Sequence, residues 1–162
     1  MVIFGKRLSD YVAFCRPFLI LIAVVGLVRL AVSLGGAPNS TAKWLSMTVL
    51  VWIGVIYYSF RIHASGFGSY KQLLPVLFLQ SVISQAIIIV GIVIAIETHK
   101  DNIFSAPEYS GGGDGKTWTH VAAHLILGTT VGPLLAWLVG SVIMWVTKKV
   151  APRDSGAAAQ SA

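Results

Sequence analysis

Residues 73–96 read LLPVLFLQSVISQAIIIVGIVIAI. No charged side chain interrupts the run, and it exceeds the about 20 residues that an α-helix needs to cross the hydrocarbon core of a bilayer. Its polar side chains, Gln80, Ser81, Ser84 and Gln85, sit together near the middle. A helix apolar on every face is buried on every face, by protein or by lipid. Whether the run has companions decides between a soluble core helix and a membrane bundle.

It has three. Further apolar segments cover 11–34, 44–62 and 117–146. Inside lipid every backbone N–H and C=O must find its partner within the segment, so all four read as α-helices despite their many β-branched residues. Composition agrees. The chain has 162 residues, 56% hydrophobic and only 11% charged, against about a quarter charged in soluble domains. The net charge is +6, but Lys and Arg lie at the ends of the apolar runs. That placement suits anchoring in a bilayer and excludes a nucleic-acid face. The single cysteine, Cys15, excludes an intrachain disulfide.

The connections GGAPNSTAK (35–43) and HASGFGSYKQ (63–72) are short, so neighbouring spans run antiparallel. The expected fold is all-α: an integral membrane four-helix up-down-up-down bundle over residues 1–150, followed by a disordered tail at 151–162. Lys6, Arg7, Arg16, Arg61, Lys71, Lys148, Lys149 and Arg153 fall on one side, and Lys43, Lys100 and Lys116 on the other. The positive-inside rule then puts both termini in the cytoplasm and the 97–116 loop on the non-cytoplasmic side.

Residues 99–124, HKDNIFSAPEYSGGGDGKTWTHVAAH, hold three of the four histidines and three of the six acidic residues. The segment SGGGDGKT resembles a phosphate-binding loop, but Ser110 replaces its first glycine and no strand precedes it, so it reads as a turn. Asp114-Gly115 has turn chemistry and Thr117 is placed to cap the last helix. His120 and His124 are four residues apart on one helix, and Glu97 and His99 end the preceding span. Those four are the candidate metal ligands, imidazole with carboxylate suiting a transition metal such as Zn or Cu. Haem is the variant, with His99 facing His120 or His124 across one iron.

Arg29 is the one strong cation within a span. Buried charge is costly unless paired, so an Arg29–Glu97 ion pair is expected, with snorkelling of Arg29 to the headgroups as the alternative. Gly128, Gly132, Ala136 and Gly140 continue the spacing of His120 and His124 as a ridge of small residues, which allows close helix packing. Pro133 is placed to kink this helix.

No nucleophile–base pair is visible. The leading functional expectation is a small non-catalytic polytopic membrane protein, a subunit or homo-oligomer whose partners are the lipid bilayer and other membrane subunits or itself. The alternative is a metal- or haem-binding protein, active in electron transfer, with its site on the non-cytoplasmic face. A small-solute transporter or channel through the Gln80–Gln85 region is the third.

Overall fold

A computed structural model describes residues 1–151; the tail expected at 151–162 falls, beyond Ala151, outside the described residues. The chain opens with a small antiparallel hairpin, β1 (Val2–Ile3) and β2 (Lys6–Arg7), in which Val2 pairs with Arg7 and Ile3 with Lys6. Helix α1 (Leu8–Leu34) follows directly. Its start is fixed by Asp10, whose carboxylate accepts the Arg7 backbone N–H at 2.9 Å, and by the Tyr11 hydroxyl, which donates to the Ile3 carbonyl at 2.9 Å. Nothing in the sequence marks this hairpin; Lys6 and Arg7 count there only among the basic residues of one side.

The apolar segment read at 44–62 is the long helix α3 (Met47–Ala64), and the connection before it holds a single helical turn, α2 (Asn39–Ala42). Ser46 caps α3 by accepting the Val49 N–H at 3.3 Å. Helix α4 (Tyr70–Thr98) begins at a reciprocal cap, where the Gln72 side chain accepts the Ser69 N–H at 2.9 Å. It ends at His99, whose φ of 54° is left-handed and stops the helix.

The fourth segment is not one continuous helix. It comprises α5 (Trp118–Ala123), a widened π-helical turn (His124–Gly128) and α6 (Val131–Val150). Pro133 supplies the reason: it has no N–H to donate back to Thr129, and its ring excludes that carbonyl. The chain responds a turn upstream of the proline. There the Thr130 hydroxyl donates to the Ile126 carbonyl at 2.5 Å, and the Thr129 hydroxyl does the same for Leu125.

Four helical segments, Leu8–Leu34, Asn39–Ala64, Tyr70–Thr98 and Trp118–Val150, are long and apolar enough to cross a membrane. Their order is up-down-up-down. Helices α1 and α4 run parallel: the Phe4 carbonyl accepts from Gln72 at one end, and Gly91 lies against Leu30 at the other. Helices α3 and α6 run opposite to them, so that Gly54 meets Gln80 and Phe18, and Gly140 meets Ser59 and Leu73. Trp137 donates to the Tyr70 carbonyl at 2.8 Å and Lys148 to the Ser69 hydroxyl at 2.7 Å, tying α6 to the start of α4.

Two apolar clusters make the interior. One, towards the termini, centres on Tyr11, Cys15, Tyr58, Ile62, Leu73 and Met144. The other, towards the 97–116 loop, centres on Ile22, Met47, Ile87, Ile92 and Ile103. A buried polar layer of Gln80, Ser81 and Ser84 separates them.

Candidate functional site

The long loop is not a free tether. Asn102, Ile103, Phe104, Ser105 and Ala106 are all buried. The Asn102 amide donates to the Gly91 carbonyl at 2.7 Å and its oxygen accepts the Phe104 N–H at 2.9 Å. The Ser33 hydroxyl at the end of α1 accepts the Ile103 N–H at 2.8 Å. A five-residue plug thus closes the loop end of the bundle, tied to both parallel helices. Buried backbone needs partners for its polar groups, and Ser105, Ser33 and Asn102 accept the N–H groups of Asn102, Ile103 and Phe104.

Gly115 packs against this plug, where any Cβ would overlap the Ser105 backbone. Its carbonyl accepts from His120 Nδ1 at 2.9 Å. Thr117 starts α5 by accepting the His120 N–H at 3.1 Å. One turn on, His124 Nδ1 meets the Gln85 side-chain oxygen of α4 at 2.7 Å. The Nε2 atoms of His120 and His124 then face each other at 3.1 Å. The Ser81 hydroxyl, one turn before Gln85, donates to the Gly128 carbonyl at 2.7 Å. This run of contacts zips the broken fourth helix to α4 and to the plug.

The histidine pair has a definite chemistry. A carbonyl only accepts, so His120 Nδ1 carries a proton and, in the neutral ring, Nε2 is a bare lone pair. With the Gln85 oxygen towards His124, the second ring is in the same state and two lone pairs oppose each other. A proton or metal cation between them removes the conflict. Turning the Gln85 amide over also removes it, since His124 Nε2–H then donates to His120. A metal–nitrogen distance of about 2.0–2.1 Å accommodates nitrogens at this separation with an angle of about 100° at the metal. The oxygen behind each ring matches what holds metal-bound imidazoles in place.

The four-ligand set read from the sequence is not assembled. Among the described residues no group of three or more His, Cys, Asp or Glu side chains converges. Glu97 and His99 are exposed, because α4 runs on to Thr98, about three turns beyond the Gln85 that meets His124, and carries them past the level of the histidine pair. The haem reading needs His99 opposite His120 or His124, and His99 stands exposed at the end of α4, beyond the level of the pair. The Arg29–Glu97 pair is likewise absent among the described ion pairs. Arg29 is instead buried beneath the loop, its guanidinium 5.2 Å from the Phe104 ring centre and 5.8 Å from that of Tyr109, and its Nε has no hydrogen-bond partner. The sequence could not show that the loop folds back over α1 and puts aromatic faces where a carboxylate was expected.

The small-residue ridge divides. Gly128 faces Gln85, and a Cβ there would lie 2.5 Å from Gln85 Cδ. Ala136 is buried, and a Cβ at Gly140 would lie 2.9 Å from the Ser59 hydroxyl. These three pack within the chain. Only Gly132 of the ridge is exposed. Gly132 opens instead onto a cleft that it lines together with Gly128 and Ala136, opposite Trp52 and Ser84.

On the loop surface, Lys116 reaches Asp101 at 2.6 Å and Asp114 at 3.2 Å. The hydrogen bond to Asp101 leads in raising the Lys116 pKa, and the Lys116 backbone N–H leads in lowering that of Asp114. Gln85, Gly115, Ser33 and Asn102 are the site residues that sequence reasoning missed. Only Gln85, a polar residue inside an apolar run, carried a signal.

Comparison with protein families, with curated proteins and with solved structures found no match.

Proposed function

We propose that the chain is a multi-pass integral membrane protein without a catalytic centre, a packing subunit that assembles with itself or with other membrane subunits through α6. The observation that carries this reading is the uneven covering of the helices. Only 17% of the apolar window of the fourth segment is buried within the chain, against 28%, 33% and 33% for the others. Several inward polar groups serve the bundle itself. Ser81 and Asn102 bond backbone carbonyls of α4 and its neighbour, and Ser59 and Thr147 bond carbonyls of their own helices. Gly132 is exposed at a cleft between α6 and its neighbours, and a small residue there lets a second helix approach closely. Cross-linking of detergent-purified wild type and Gly132→Phe tests the assignment. Loss of the oligomer in the variant is expected, and unchanged assembly removes α6 as the contact.

Both termini are assigned to the cytoplasm and the 97–116 loop to the opposite side. The support is the basic residues gathered at the terminal end, Lys6, Arg7, Arg61, Lys71, Lys148 and Lys149 among them. A Ser110→Cys variant labelled by an impermeant maleimide on sealed cells tests this, because the native Cys15 is buried. Labelling only after the membrane is opened reverses the orientation.

A second reading rests on the facing Nε2 atoms: His120 and His124 hold one transition-metal ion, zinc or copper, with water or a partner's side chain completing its shell. Elemental analysis of chelator-free protein beside a His120→Ala/His124→Ala variant tests it. Metal in stoichiometric amount that the variant lacks supports the site, and metal-free wild type removes it.

A further inference from the structure

A cavity of about 590 Å³ lies at the loop end, between α1 and the start of α3, lined by Val25, Lys43, Trp44, Val49, Leu50 and Tyr109 among others. Its walls are mostly apolar. Its charged lining residue is the Lys43 ammonium, which lies 5.8 Å from the Trp44 ring centre. A second cation adjoins it. Val25 is one helical turn before Arg29 on α1, and the Arg29 guanidinium lies 5.8 Å from the centre of the Tyr109 ring that forms part of the wall. Arg29 is more than nine-tenths buried, its Nε has no partner, and no carboxylate pairs with it or with Lys43 among the described ion pairs. Glu108 is exposed and is not among the residues lining the cavity.

A buried guanidinium without a counter-charge is expensive in low dielectric, and an anion beside it offsets that cost. Two cations next to an apolar cleft at the level where a span ends match an amphiphile with a negative head and a hydrocarbon tail. We propose that this cavity binds one anionic phospholipid, its phosphate between Lys43 and the edge of Tyr109 near Arg29, and an acyl chain along Val25, Val49 and Leu50. The proposal rests on placing the helices in a bilayer. Failure of that placement shows separately, as a chain that stays monodisperse in buffer without detergent.

The test uses the full chain, purified in mild detergent and given equal amounts of phosphatidylglycerol and phosphatidylcholine, with retained lipid counted by native mass spectrometry. Wild type is expected to keep one phosphatidylglycerol in preference. Removal of one basic residue near the headgroups lowers retention by about fivefold, so Lys43→Gln reads that loss at an exposed position that leaves the core intact. Val49→Trp, which fills the cleft from an exposed position, is expected to abolish the preference with both cations in place. Arg29→Lys retains it and Arg29→Gln loses it. Equal retention of the two lipids by wild type, or an unchanged preference in Lys43→Gln and Val49→Trp, overturns the proposal. Displacement of the lipid by millimolar inorganic phosphate also overturns it, because the site then takes a free anion.

Discussion

Ser81 on α4 donates its hydroxyl to the carbonyl of Gly128 at 2.7 Å, across the helix interface at the point where the fourth helix loses its regular ladder. The bond fills an acceptor that the π-helical turn and Pro133 disturb. Interhelical hydrogen bonds of this kind contribute about 0.6–2 kcal/mol. Ser81→Ala is therefore expected to destabilise the bundle by about 1 kcal/mol in thermal or SDS unfolding. An unchanged midpoint would falsify the assignment of that bond as a structural tie.

Gly128→Val is expected to be worse than Ser81→Ala. Its new Cβ falls 2.5 Å from Gln85 Cδ, and overpacking of this kind costs about 1–3 kcal/mol. The displaced Gln85 also releases His124. Shortening the partner relieves the clash, so Gln85→Ala should be less harmful in the Gly128→Val background than in wild type. Additive effects in that double-mutant cycle would place the strain elsewhere.

Asn102 is the keystone of the loop plug, with its amide on the Gly91 carbonyl. Asn102→Ala leaves the buried Phe104 N–H without its acceptor, at a cost of about 1–3 kcal/mol. The visible consequence is local: residues 99–116 become open to limited proteolysis while the four helices remain. Protease resistance equal to wild type would show that the apolar contacts of Ile103 and Phe104 suffice.

The Lys116–Asp101–Asp114 cluster predicts how loop order varies with pH. The Asp114 pKa is lowered, so its contribution is present above the ordinary carboxylate pKa and is lost as pH falls through the lowered value. The Lys116 pKa is raised, so its contribution is present below the ordinary lysine pKa and is lost as pH rises through the raised value. Mobility of a probe at Glu108→Cys should be flat between about pH 5 and pH 10 and increase outside that window. Lys116→Gln should remove the upper limb. The effect is small, because these groups are exposed and screened by salt.

The helical segments were legible because a run such as 73–96 has one physical solution, and the structure departs from the expected ends by a few residues of fraying and capping. Thr117 was recognisable as a cap because the chemistry is local. What escaped was non-local. The plug at 102–106 depends on Ser33 and Gly91, which lie far away in sequence and look unremarkable there. Pro133 announced a kink but not that the widened turn forms before it. The histidines met each other, since four residues along a helix fixes that. Their further partners were not legible, because α4 carries Glu97 and His99 past the pair and the loop puts Phe104 and Tyr109 over Arg29.

The plug also constrains the order in which the molecule is made. Ser33 and Gly91, the two points that hold it, belong to parallel helices, and parallel helices need an antiparallel one threaded between them in sequence. The socket therefore exists only after α1, α3 and α4 have all been laid down and paired. Residues 102–106 follow α4 in the chain, and Gly115, which closes on them, precedes the last helix. A chain ending at Thr98 has the three helices and Ser33 but not the residues that cover that end of the bundle.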